Sequence, residues 1–220
     1  MRNPTLYRVG GNALVAGSLL LVVTMFLHPA SGDGGYDTLS SLGMGRLQVI
    51  HLLMFVGVFL LFGGWLAVLR HFLAGENEGL ATLAFAGGIL AMCGMGLSKG
   101  LESIGPWLVA GNLDAVPESA YVAMGVVEAV FYLTGLIMAW VSAALVSVAM
   151  LRDSAWPRLL ATTGLVVSVA SIAVPPIINQ AMVSMFIMLA GMVWLAVVGA
   201  MFARMRQPAP VEQAMEEAAV

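Results

Sequence analysis

From Leu159 to Ala203 the chain carries no Asp, Glu, Lys or Arg, and only Pro175-Pro176 and Asn179-Gln180 interrupt its apolar character. One helical crossing of a bilayer needs about 20 apolar residues, so this run suffices for two. Lipid is therefore the solvent for most of the surface. Of the 220 residues 60% are hydrophobic and 10% charged, whereas soluble domains are roughly a quarter charged. Only helices or closed barrels satisfy their backbone in lipid. The apolar runs lack the period-2 alternation of a barrel strand, so the chain is read as all-α.

Charges and Gly/Pro clusters bound six spans, at about 9–28, 47–69, 79–98, 121–151, 159–176 and 182–203. They form one transmembrane domain over 1–206, followed by a polar tail at 207–220 that holds Glu212, Glu216 and Glu217. Arg2 and Arg8 precede the first span as in a signal peptide. Val9 to Leu27 is long for such a core, however, and His28-Pro29-Ala30 is a poor cleavage site. The segment reads as an uncleaved first helix. With both termini in the cytoplasm, Arg2, Arg8, Arg70, Arg152, Arg158, Arg204 and Arg206 lie inside and only Arg46 and Lys99 outside. That asymmetry follows the positive-inside rule. The expectation is a six-helix bundle, N-in and C-in, crossing a bacterial cytoplasmic membrane.

The outer connections, 29–46 and 99–120, are long and rich in Gly, Pro and acidic residues, while the inner turns near 70–78 and 152–158 are short. Long loops tend to carry function. Residues 103–113 are too apolar for a free loop and are expected along the interface, with Trp107 as an anchor. No segment repeats at a fixed period.

Counting from the cytoplasmic boundaries places His28, His51 and Glu128 at one level near the outer surface, and Asn179-Gln180 between helices 5 and 6. Polar residues gather wherever helices leave lipid, and that alone explains any one of them. The alternative is convergence. Two histidines with a carboxylate suit a transition metal, and two axial histidines suit haem b. Glu128 is the best single candidate, since an ionisable group beside lipid is costly and faces the bundle. His71 lies beside Arg70 at the cytoplasmic side, apart from these. Met92-Cys93-Gly94-Met95 and Met182, Met185 and Met188 offer soft sulfur that selects copper(I), although Met is also a common filler of apolar packing. The single cysteine allows no intrachain disulfide.

Gly96-x-x-x-Gly100, with Gly87-Gly88 and Gly94, gives helix 3 a flat surface for close helix approach, central in the bundle or at a contact with a partner or second copy. Gly63-Gly64 and Gly191 fit the same use. Pro175-Pro176 stops or breaks helix 5, so Asn179 and Gln180 could line a ligand site of the kind broken transporter helices provide. No Walker sequence, His-Glu-x-x-His or Gly-x-Ser-x-Gly is present, so nothing marks an enzyme. Basic residues are scattered singly, which disfavours nucleic acid as a partner.

The segment from Glu128 to Ser171 contains Met150-Leu-Arg-Asp-Ser-Ala-Trp-Pro-Arg158 followed by Gly164, and the chain opens with Arg8-Val-Gly10. In these features and in its helix layout it resembles an uncharacterised bacterial family of six-helix membrane proteins, a domain of unknown function. The resemblance implies fold and membrane location. It implies no activity, and the His28/His51 pair is not part of it. Three functions remain in view: binding of a metal, haem or small apolar ligand in an outward-facing pocket; a non-catalytic accessory or scaffold subunit; and a transporter for a small uncharged solute.

Overall fold

The computed structural model describes residues 4–27, 44–73, 75–110, 118–177 and 181–205. Among them are six helices: α1 (Pro4–Leu27), α2 (Met44–Phe72), α3 (Glu78–Ala110), α4 (Glu118–Arg152), α5 (Arg158–Ile177) and α6 (Ala181–Arg204). Five are long and apolar enough to cross a membrane, over Thr5–Leu27, Val49–Phe72, Glu78–Leu101, Ala123–Arg152 and Met185–Arg204. The described apolar part of α5, Arg158–Val174, is shorter. The protein is a helical membrane bundle.

Each helix packs on its neighbour in sequence and α1 also packs on α6, so the bundle closes on itself as an up-and-down ring. Arg8, Arg70, Arg152, Arg158 and Arg204 are exposed around one end of it; three of these stand in the last turn of their helix, where the macrodipole favours a cation. Val9, Leu19, Val23, Leu83, Val166 and Val193 lie on the outside, as lipid-facing residues must. Hydroxyls inside the helices bond back to their own backbone, for example Ser18 Oγ to the Leu14 carbonyl at 2.8 Å and Ser168 Oγ to that of Gly164 at 2.7 Å. No donor of theirs is then left for the hydrocarbon to strand.

Glycine sets the closest crossing, between α1 and α2. A Cβ at Gly17 would strike the backbone of Leu61, and one at Gly64 the backbone of Leu14 and, at 2.6 Å, the Gly10 carbonyl. Lipid offers no hydrophobic drive between helices, so such contact is what holds them. Helix 3 uses its glycines in the same way. Gly94 meets α4 at Phe131 and Gly135, Gly88 meets α2 at Trp65 and Leu69, and Gly96 and Gly100 lie against Phe59 and Phe55. These glycines face α2 and α4, the two neighbours of α3 in the ring, so α3 is no more central than the other helices.

Several boundaries differ from those read in the sequence, α1 beginning at Pro4 rather than near 9 and α2 running Met44–Phe72 rather than 47–69. Helix α3 continues to Ala110, through Gly105-Pro106, rather than ending near 98 with an interfacial stretch after it. Helix α4 begins at Glu118. The two rise together, because Ser98 faces Glu128 and their outer turns therefore run side by side. Helix α5 ends at Ile177, one residue past Pro175-Pro176, as expected of a stop. Gly164 faces Ser147, so Ile177 comes level with residue 134 of α4, and the 16 residues of α4 beyond that height project by roughly 24 Å at 1.5 Å per residue. Along Ala123–Phe131 every residue but Glu128 is exposed.

Candidate functional site

The end away from the arginines carries one of two groups of ionisable side chains drawn in between the helices. Ser98 on α3 is fully buried and donates to Glu128 Oε1 on α4 at 2.6 Å. Lys99 is only 7% exposed, and its Nζ sits 5.0 Å from the centre of the Tyr132 ring, close enough for a cation–π contact. Tyr132 in turn donates to Met188 Sδ of α6 at 3.8 Å. His51 on α2 is 6% exposed. The α2–α3 register pairs Phe55 with Gly100, which sets His51 roughly 9 Å further out along the bundle than Ser98.

Of the residues singled out by sequence, Glu128 thus enters a polar cluster with Ser98, Lys99 and Tyr132, and His51 is buried in the outer part of α2. His28, Asn179 and Gln180 lie outside the described residues. Among the described residues no group of three His, Cys, Asp or Glu side chains is placed to hold a metal ion. The sulfur run divides: Cys93 is exposed while Met95 is buried. Met185 is likewise exposed, whereas Met188 accepts the Tyr132 hydroxyl. Ser98 and Lys99 escaped the sequence reading, which noted Lys99 only as an outer charge. The available signal was its position, a lone lysine four residues after Met95 on an otherwise apolar helix.

One helical turn beneath this cluster lies a cavity of about 30 Å³ on the bundle axis, lined by Leu21, Trp65, Met95, Leu136, Trp140 and Met192 among others. With the open space it joins, the empty region reaches about 440 Å³. Met95, Leu136 and Met192 are each one turn inward from Lys99, Tyr132 and Met188 respectively, so polar mouth and apolar floor belong to the same face of each helix.

The opposite end holds a second polar cluster, unforeseen from sequence. Tyr7 Oη and His71 Nδ1 are 3.0 Å apart, and His71 Nε2 is 3.4 Å from Asp153 Oδ2. The imidazole stands edge-on to Tyr7, Phe72 and Phe202 with centroids 5.7, 5.0 and 6.1 Å away. Asp153 Oδ1 also accepts the Ala155 amide at 2.9 Å and so shapes the turn into α5. This cluster joins α1, α2, α6 and the α4–α5 turn, and it acts as a structural clasp.

No family model, curated protein or solved structure matches this chain.

Proposed function

We propose that the protein is a ligand-binding protein of a bacterial cytoplasmic membrane, with N- and C-termini inside and its site at the outer end of the bundle. The observation that carries this reading is Lys99, an ionisable side chain all but buried among apolar helices beside the Ser98–Glu128 contact. A charge kept within a membrane segment is costly and marks function by default. The neighbouring cavity supplies apolar walls, and the cluster supplies donors and acceptors. Lys99 and Glu128 offset each other in charge, so the site suits an uncharged small molecule better than an ion. The reading is of binding without catalysis.

The test is to purify the protein in detergent and in nanodiscs, and to identify what it retains by mass spectrometry, elemental analysis and an optical spectrum. A small organic molecule retained by wild type and lost in Glu128→Gln and Lys99→Met is the expected result. A Soret band, or stoichiometric metal lost in His28→Ala and His51→Ala, would replace this reading with the haem or metal one. An empty protein indifferent to all four changes would refute both.

A scaffold role is the second reading, favoured by the exposed outer turns of α4. The kinship with the uncharacterised six-helix family is likewise proposed here. It rests on the sequence of the 150–158 turn alone.

A further inference from the structure

The five exposed arginines at one end of the bundle differ in their surroundings. Arg70, Arg152 and Arg158 stand at or beside the two short turns that also hold Glu76, Glu78 and Asp153. Arg8 of α1 and Arg204 of α6 have no such company, since neither helix carries an Asp or Glu anywhere along its length. Among the described residues neither guanidinium makes an ion pair or a hydrogen bond.

The seam between these two helices brings both arginines to one height. α1 and α6 run antiparallel, with Gly10 by Phe202 and Val15 by Gly199. Their backbones touch. A Cβ at Gly11 would come 2.5 Å from the Gly199 carbonyl oxygen and 2.6 Å from the Ala203 nitrogen, which sets Gly11 level with Met201. Arg8 lies three residues before Gly11 and Arg204 three after Met201. Each therefore stands roughly 4.5 Å beyond the crossing, toward the same end.

Asn12 is a second and separate observation. It follows Arg8 by one turn on the exposed face of α1 that continues through Leu19 and Val23, and it lies inside the membrane span. Its carboxamide has no partner among the described residues. An amide left bare in hydrocarbon is costly, so a group carried by lipid is needed to accept from it. The same two helices expose Val9, Val193 and Val197. Cations at the membrane surface, an amide roughly 6 Å deeper and apolar flanks follow the order of phosphate, ester carbonyls and acyl chains in a phospholipid. A water-borne anion would meet the arginines and leave the amide bare.

We propose that the α1–α6 seam binds one anionic phospholipid of the leaflet at the arginine end. Its phosphate takes the Arg8 and Arg204 guanidinium groups, whose planar donors match phosphate oxygens. An ester carbonyl accepts from Asn12 Nδ2, and the acyl chains lie along the apolar flanks. Basic pockets between membrane helices take anionic headgroups in this way. The site needs only the membrane location of the bundle and is independent of the Lys99 end.

The experiment uses the full-length protein in nanodiscs of phosphatidylcholine to which phosphatidylglycerol is added in steps. Melting temperature is followed, and native mass spectrometry identifies the lipid retained from an equal mixture of the two. Wild type is expected to retain phosphatidylglycerol in preference and to melt higher as it is added, because a ligand of the folded state stabilises it. Arg8→Gln with Arg204→Gln should weaken that retention roughly thirtyfold, the worth of two cations at a membrane surface. The melt of this variant in pure phosphatidylcholine should match wild type. Asn12→Leu should weaken retention roughly fivefold, the size of one hydrogen bond. Arg70→Gln with Arg152→Gln removes the same charge from the same end and should leave retention unchanged. Equal losses in the two double variants would overturn the proposal, since the arginines would then act only as diffuse charge. Equal retention of both lipids by wild type would overturn it too, as would displacement of the lipid by millimolar inorganic phosphate. A preference that emerges only after Glu212, Glu216 and Glu217 are changed to glutamine would assign the seam to the chain's own tail instead.

Discussion

At the scale of single residues, the polar contacts inside this bundle differ in what their loss would do. Ser142 Oγ accepts from Trp65 and donates to the Ala84 carbonyl at 2.6 Å, tying α2, α3 and α4 through one fully buried hydroxyl. Ser142→Ala leaves the Trp65 indole without an acceptor and should cost about 1–2 kcal/mol. Adding Trp65→Phe should then cost less than it does alone, since the donor it removes is already orphaned. Thermal melts of the four proteins of this cycle, in one detergent, check it. His71→Ala empties an aromatic cage and should cost about 2–4 kcal/mol. Asp153→Asn keeps an oxygen for the Ala155 amide and should cost about 1 kcal/mol or less, its carboxylate being partly open to water. Equal melting shifts for the two would deny His71 its packing role. Glu128 was legible in the sequence because a lone carboxylate in an apolar run stands out. The Tyr7–His71–Asp153 clasp was not, because its members are 64 and 82 positions apart and each looks like an ordinary interfacial residue.

At the scale of elements, apolar runs bounded by charges and Gly/Pro clusters located all six helices to within about five residues, except at the outer end of α3, which outruns its apolar stretch. Apolar length reports lipid contact and says nothing of a helix that continues beyond it on a neighbour's support. Glycines were legible as flat surface, but which helix each one faces depends on rotation about the axis. Gly63 and Gly64 show the point, being adjacent in sequence and opposite in role. A Cβ at Gly64 runs into the α1 backbone, whereas at Gly63 it meets open space. Gly64→Ala should therefore lower the melting temperature sharply, by the equivalent of about 2 kcal/mol or more. Gly63→Ala should be neutral or stabilising by up to about 1 kcal/mol, through its better helix propensity. Similar effects for both would mean that α1 and α2 do not cross at Gly17 and Gly64.

At the scale of the whole molecule, the arginines at one end and the lone lysine toward the other lead to an orientation that reporter fusions can check. Tags at both termini should be reached only after the membrane is opened from the cytoplasmic side, and an outside C-terminus would contradict the six-crossing reading. Cys93, exposed on the lipid-facing side of α3 within its span, should resist charged and membrane-permeant maleimides alike in intact cells and react only once the protein is denatured, because the attacking thiolate does not form in hydrocarbon. The sequence by itself determined the solvent and the secondary structure, because these follow from summed apolarity along the chain. The tertiary structure alone decided that the first helix closes on the last, and that Lys99 is drawn in over the Tyr132 ring while Ser98 reaches Glu128. Those outcomes depend on how far each helix turns about its own axis and how closely its glycines let a neighbour approach. In a chain this uniformly apolar, no face is marked in advance as the inner one.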